Sequence, residues 1–519
     1  MKAKISRILA FLIAMVMVLS VSVSASADAS APRRIVIQTL ADPGSFKLFD
    51  ASASSVRQAI QVMFYETLFG DYFGDAPTPV LASGIEQVDK GVYEVTLRDG
   101  IYDAKGNPIT MDDVIWCYQT AIDSGTMSNY FGNVKSIEKV DEHVLRITFL
   151  SDEYVGELRN VLIIQPIVSR ASYEESESGF ASDPVGSGPY KIKSWTQGSS
   201  IVFEKNEDYW DKENMEALQP YDEVEYRFIG ESTQIAIALE TGAVDMVEGI
   251  SNQDVPKFTE EKGFHTMPMI DVLARAILFN CDSSNPFSDV RLRQAVSYAI
   301  DADAVIDAVT DGVGERCHAL IAANDTTSFT DYNMAWNDEP YYEYDPEMAK
   351  QLLAEAGYPD GLKVRLMTKD TPEYNTTCQI LQAYLAQVGI DVEIMAYENA
   401  LYQTYRYDPS AFDMYLAQVG GFESVVQPWK WYVQGNPMNN NRNVCMFDAA
   451  EFWDIYSAAA QKETHSPETV EAAWQWMKEN VPMYGYGFTQ KYFIYNDNVV
   501  DPFVTWRGFH FPWLDGHMD

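Results

Sequence analysis

The sequence predicts an α/β fold built in more than one domain. Three observations carry that prediction. Short segments alternate apolar and polar residues with the period of a half-buried strand, as in 91–97 and 144–149. Between them lie apolar stripes with helical spacing, bounded by capping residues. Late in the chain, a strand at 362–367, a helix at 378–388 and a strand at 390–395 follow in the order of a parallel strand–helix–strand unit. A chain of 519 residues, 47% hydrophobic and 22% charged, has ample material for two or three domains and is too apolar for disorder.

The elements follow in chain order. Residues 34–40 read as a first strand, and Val56 to Leu68 has helical apolar spacing before a turn-rich break at 69–74. A turn cluster at 102–108 leads to Thr110, which opens a helix as a capping box with Asp113. Gly186 and Gly188 interrupt the pattern and suggest a turn before the alternating strand 201–205. Residues 234–239 are helical, and 241–247 turn into a short buried strand. Asp289 caps a helix with an apolar stripe through Leu292, Ala295, Val296 and Ala299. Asp345-Pro346 opens another helix, which ends at Gly357, where a left-handed residue is wanted.

Charge and composition exclude several functions. With 37 Lys and Arg against 76 Asp and Glu, the net charge is −39, and no basic block offsets it. Nucleic-acid phosphate is repelled by such a surface, so no nucleic-acid partner is expected. The N-terminus reads as a secretory signal peptide over 1–27, with Lys2, Lys4 and Arg7, an apolar run from Ile8 to Leu19, and Ala25-Ser-Ala27 as cleavage site. That run is too short to span a bilayer. No cysteine near the cleavage site offers a lipid anchor, so an exported, periplasmic or extracellular protein is expected. The five cysteines (117, 281, 317, 378, 445) are expected as buried free thiols with at most one or two bridges. The six scattered histidines give no metal spacing, so neither metal nor cofactor is expected. Nor is there a nucleophile elbow or a zinc-protease helix, and an enzyme such as a secreted glycosidase is the remote alternative.

The ordered motifs carry a resemblance. Pro184-Val-Gly-Ser-Gly-Pro-Tyr190 leads to Glu204-Lys-Asn-Glu-Asp-Tyr-Trp210. Leu97-Arg-Asp-Gly-Ile101 precedes Gly106-Asn-Pro-Ile-Thr-Met-Asp-Asp-Val114. Phe279-Asn280 precedes Pro286-Phe-Ser-Asp-Val-Arg-Leu-Arg-Gln-Ala295, and Tyr344-Asp-Pro-Glu-Met-Ala-Lys350 leads to Gly357-Tyr358. In this order they resemble the extracellular solute-binding proteins of the dipeptide and oligopeptide ABC-importer class, family 5.

The resemblance implies a periplasmic-binding-protein-like two-lobe fold of the large three-domain type, with mixed sheets and a hinge of crossing strands. It implies domain I over 28–69, 184–270 and 486–519, domain II over 70–183 and domain III over 271–485. It also implies a monomer that closes on a small-molecule ligand, a peptide or else an oligosaccharide, and docks on the membrane permease of an ABC importer.

In peptide-binding relatives a loop aspartate pairs with the peptide ammonium. Here the aligned position is Gly421, beside Phe422, and Glu423 lies two residues on. A buried ammonium without its carboxylate is costly, which weakens the case for an ordinary peptide. Asn399 replaces an aromatic of some peptide binders. Trp429 and Trp431 suit stacking on a sugar or on peptide side chains, with packing of the lobe as the alternative. By position in the family fold, Asn129, Tyr130 and Phe131, the stretch Glu248 to Ser251, and Tyr484 with Tyr486 are further ligand candidates.

Overall fold

The computed structural model of the chain describes residues 33–49, 55–70, 78–125, 127–150, 157–270, 273–317, 341–419, 429, 445–447, 450–499, 503–505 and 508–510. Residues 1–27 therefore lie outside the described residues. Among the described residues, no helix is long and apolar enough to cross a membrane.

Two large apolar cores define two lobes. One core gathers residues from Ala274 to Phe488, the other gathers Ile35 to Tyr226 with Met246, Phe493 and Val499, and a smaller third cluster flanks the latter around Ile235 and Phe258. The N-terminal lobe contains a seven-stranded mixed sheet. Its strands come from three separated stretches of chain: Arg34–Thr39, then the strands between Tyr190 and Ile270, then Gln490–Asn496. A four-stranded antiparallel sheet between Ala82 and Phe149 belongs to the same lobe, with the helix Met111–Asp123 against it. The helix starts as expected: the Asp113 carboxylate accepts from the Thr110 amide at 2.8 Å and from its hydroxyl at 2.6 Å.

The C-terminal lobe is built on a five-stranded sheet in the order Ile390–Tyr397, Leu362–Lys369, Met414–Val419, Ala274–Phe279, Met483–Gly487. The first three strands are parallel, as the strand–helix–strand reading requires, and Ala274–Phe279 is antiparallel to both of its neighbours, Met414–Val419 and Met483–Gly487. Thr371 and Pro372 start the connecting helix at Pro372–Gln387, earlier than the apolar pattern suggested. Asp289 and Asp345 cap their helices by accepting from the amides of Arg291 and of Glu347 and Met348. Gly357 sits at φ +94°, the left-handed position anticipated for it.

The chain passes between the lobes as a paired ribbon. Phe264–Ile270 and Gln490–Asn496 are antiparallel partners in the N-terminal sheet, and their continuations Ala274–Phe279 and Met483–Gly487 are antiparallel partners in the C-terminal sheet. These are the crossing strands of the expected hinge.

Two readings of the early motifs change. The helix expected over 56–68 stops at Gln61, because the next carbonyls serve the glycine segment instead. Phe64 O accepts from the Gly188 amide and Met63 O from the Tyr190 amide, each at 3.0 Å. Gly186 and Gly188 accordingly permit close backbone approach: neither has a positive φ, and a Cβ on Gly186 would stand 1.9 Å from Phe64 O. All five cysteines are buried free thiols.

Glu66 explains the Tyr209-Trp210 motif. It is 8% exposed and accepts from the Tyr209 hydroxyl at 2.7 Å and the Trp210 indole at 2.8 Å. Burial pushes its carboxyl up to about 7, against the opposing bonds from Trp210 and Tyr209. The folded state thus binds this proton more tightly than the unfolded chain. Its stabilising contribution is full below about pH 4.5 and is lost as pH rises through 7, by roughly 3 kcal/mol in all. Urea unfolding at pH 5 and pH 8 checks this. Wild type should lose more stability than Glu66→Gln across that interval, by an amount of that order, and parallel losses would refute the assignment.

Candidate functional site

Strand register determines which edges the two lobes turn toward each other. Ala274 follows directly on the crossover and pairs with Val419, so the C-terminal ends of the parallel strands share its side of the sheet. That edge carries Arg275, Lys369, Tyr397 and Gln418. On the N-terminal sheet, Arg34–Thr39 and Met246–Val247 run parallel to each other, and Met246–Val247 is antiparallel to the strand beginning at Gln490. Their C-terminal ends, Thr39 and Glu248, therefore point back toward the crossover. Ligands of open α/β sheets bind at such carboxyl ends, where connections leave the sheet in different directions.

On the C-terminal side, Arg275 is held from several directions. Nε donates to Glu373 Oε1 at 2.8 Å, Nη2 to Thr489 Oγ1 at 3.0 Å and Nη1 to Leu273 O at 3.3 Å. Lys369 ends its strand between two helix starts, with Nζ 5.8 Å from the ring centre of Tyr374 and 5.4 Å from that of Tyr402. Tyr402 is fixed in turn by its hydroxyl, which donates to Leu416 O at 2.6 Å. Burial, with Arg406 and Arg275 nearby, pushes the Lys369 ammonium below its usual range, while Glu373 opposes the shift. On the N-terminal side Glu248 is raised by burial, opposed by Lys491 and by a hydrogen bond from Thr39 at 3.4 Å.

The lobes also touch directly. Asn252 Nδ2 donates to Thr310 O at 2.8 Å near the ribbon. Lys462 Nζ donates to the Tyr93 hydroxyl, and Lys90 pairs with Glu463 at 2.8 Å. These last contacts join the hairpin between Ala82 and Leu97 to the segment after the helix Ala450–Ala460.

The sequence candidates are dispersed. Asn129, Tyr130 and Phe131 lie on the short helix Ser128–Phe131, where the Phe131 ring packs in the core against Tyr118. Asn399 is exposed at the first residue of Asn399–Tyr405. Trp429 is buried, its ring 6.2 Å from that of Trp474 in a stacked arrangement, a packing position. Tyr484 is buried beside Tyr341, and Tyr486 is buried within the field of Arg275, Tyr374 and Glu373. Gly421, Phe422, Glu423 and Trp431 lie outside the described residues. Arg275, Lys369 and Arg406 escaped the sequence reading. The available signal was a lysine at the end of a strand in a strand–helix–strand unit of a strongly acidic chain.

Two lobes, a paired-strand crossover and facing strand-end edges define a two-lobe binding protein. Residues 76–439 match the bacterial extracellular solute-binding proteins, family 5 (middle region), and the chain belongs to that family. It is 25% identical over 350 residues to the oligopeptide-binding protein AppA of Bacillus subtilis, covering 61% of each chain. It is also 25% identical over 375 residues to the glutathione-binding protein GsiB of Shigella flexneri, covering 70% of each. The alignment thus spans about three fifths of the Bacillus protein's length. The fold matches that of the Helicobacter pylori periplasmic binding protein DppA, solved with the peptide STSA, at a TM-score of 0.71 and 22% identity over 90% of this chain and 94% of that one.

Proposed function

We propose that this protein captures a small solute, a peptide in the first instance, between its lobes and delivers it to the permease of an ABC importer. It works as an exported monomer without covalent chemistry. The domain I, II and III division set out above goes with this reading, supported by the three-stretch origin of the seven-stranded sheet. The observation that carries the proposal is the paired-strand ribbon, with strand-end edges facing each other across it. Two antiparallel crossings act as a hinge, and a solute that touches both lobes stabilises the closed form by its differential affinity. The relatives named for oligopeptide and glutathione binding support a peptide.

Mass spectrometry of solute released from the native protein tests the reading, together with small-angle scattering before and after removal of that solute. A released peptide and a larger radius of gyration on its removal are expected. An empty protein whose radius ignores every peptide mixture offered would refute it. The Lys462–Tyr93 and Lys90–Glu463 contacts belong to the closed form. Lys462→Ala with Glu463→Ala should therefore weaken peptide binding about fivefold, chiefly through faster release, since exposed pairs each contribute at most about 1 kcal/mol. An unchanged off-rate would remove those contacts from the closure mechanism.

A further inference from the structure

The cysteines take no part in solute binding, yet two of them meet. Cys281 follows the crossing strand Ala274–Phe279, and Cys445 precedes the helix Ala450–Ala460. The Cys281 amide donates to Cys445 O at 2.7 Å. A backbone bond of that length holds the two Cα atoms about 5–6 Å apart, within the span of a disulfide. The side chains converge as well. The Cys281 thiol donates to Phe279 O at 3.6 Å. The Cys445 thiol donates to Pro482 O at 3.3 Å, the carbonyl that also takes the Phe279 amide at 3.1 Å. Both sulfurs therefore lie against one short piece of backbone, each in the field of the Arg293 guanidinium, and Cys445 also in that of Cys281. The frame around them is fixed. Asn280 Nδ2 donates to Pro409 O at 2.7 Å and Phe412 O at 2.9 Å, which anchors the chain before Cys281. The Phe447 ring lies 5.1 Å under the Arg293 guanidinium, which anchors the chain after Cys445. With both backbones set at bridging distance, side-chain rotation is the movement left to join the sulfurs. The family is extracellular, and that compartment lets disulfides persist.

We propose that Cys281 and Cys445 are oxidised to a disulfide that ties the foot of the crossing strand Ala274–Phe279 to the segment leading into the helix Ala450–Ala460. In the structure both are thiols, the reduced form. The oxidant is a dialkyl disulfide, free or carried by an exchange protein. One cysteine thiolate attacks a sulfur of the oxidant and expels the first thiolate, which leaves a mixed disulfide. The second cysteine thiolate attacks the protein sulfur of that bond and expels the other. The oxidant takes up two electrons and leaves as two thiols carrying the two cysteine protons. Burial pushes the Cys281 thiol up to about 12 and raises that of Cys445 strongly, so thiolate is scarce in the native fold. The exchange therefore belongs to the folding chain, and the same burial shields the finished bridge from reductant.

The test needs no solute. The full protein is reduced and denatured, then refolded either under nitrogen or with oxidised and reduced glutathione. Each sample is alkylated with iodoacetamide in guanidinium, digested and mapped by mass spectrometry. After glutathione refolding, three alkylated cysteines and one cross-linked peptide pair containing Cys281 and Cys445 are expected. The bridge closes a long loop and so constrains the unfolded chain. Glutathione-refolded protein should melt about 5–10 °C above nitrogen-refolded protein. Cys281→Ala and Cys445→Ala should each erase that difference, and Cys117→Ala should keep it. Five alkylated cysteines after glutathione refolding, a bridge mapped to another pair, or a melting difference that survives in Cys281→Ala would overturn the inference. The map of the wild-type protein decides the matter even if a variant fails to fold.

Discussion

Replacing Gly186 by alanine should abolish folding or cost more than about 3 kcal/mol, although it adds a single methyl group. The Cβ would lie 1.9 Å from Phe64 O and 2.8 Å from both Phe64 C and the Tyr65 ring. Two backbones meet there, so no rotamer change relieves the clash, and overpacking against a rigid neighbour costs at least as much as the usual core penalty. The displaced segment also carries the Gly188 N–H to Phe64 O and Tyr190 N–H to Met63 O bonds, which lead the chain into the strand Tyr190–Thr196. Gly188→Ala should behave alike, with its Cβ 2.7 Å from Phe64 Cα. Gly84→Ala is the control, since nothing lies within 4 Å of its Cβ and its φ is ordinary. It should unfold in urea within about 0.5 kcal/mol of wild type. A Gly186→Ala protein as stable as Gly84→Ala would show that the approach relaxes freely.

Arg293→Met should destabilise the C-terminal lobe by about 3–5 kcal/mol. This arginine is 2% exposed and ion-pairs with no carboxylate among the described residues. Its guanidinium spends its donors on carbonyls. Nε donates to Asn480 O at 2.9 Å and Val481 O at 3.1 Å, Nη1 to Phe287 O at 2.6 Å and Ser288 O at 3.1 Å, and Nη2 to Asn480 O at 2.5 Å. Asn480 ends the helix Pro467–Asn480, and Val481 follows it in a left-handed conformation. The charge therefore sits where the helix dipole is negative, and its face stacks on Phe447 at 5.1 Å. Methionine fills similar space but leaves four carbonyls without their donor. Arg293→Lys keeps the charge and loses the planar fork, so its loss should be intermediate. Urea denaturation read by tryptophan fluorescence checks both, and a Met variant within about 1 kcal/mol of wild type would deny Arg293 this role.

The sequence was most legible where local chemistry decides structure. Thr110, Asp289 and Asp345 announce helix starts because a side-chain oxygen finds amides only two or three residues away. Gly357 announces a helix end because left-handed backbone favours glycine. The ordered motifs identified the family, because they are scaffold parts that recur together. The same reading found the bend at Gly186 and Gly188 but missed why glycine is needed: the bare Cα of Gly186 is required by Phe64, more than a hundred residues earlier. It also overran the helix after Val56, whose end is imposed by hydrogen bonds from the same distant segment.

The site was less legible still. Trp429, Tyr484 and Tyr486 are large and amphipathic, and that chemistry suits a cleft as well as a core; only tertiary structure placed them in the core of the C-terminal lobe. Lys369, Arg275 and Arg406 are ordinary basic residues in one dimension. They become a cationic corner because parallel pairing sets the ends of Leu362–Lys369 and Met414–Val419 on one edge, antiparallel pairing brings the start of Ala274–Phe279 to the same edge, and two helix starts lie beside Lys369. The sequence by itself determined the α/β class, the acidic character and membership of a solute-binding family, all of which follow from local pattern and composition. Which edges face across the crossover, and which basic residues gather there, only the tertiary structure decided, because both depend on strand register and contacts between residues far apart in the chain.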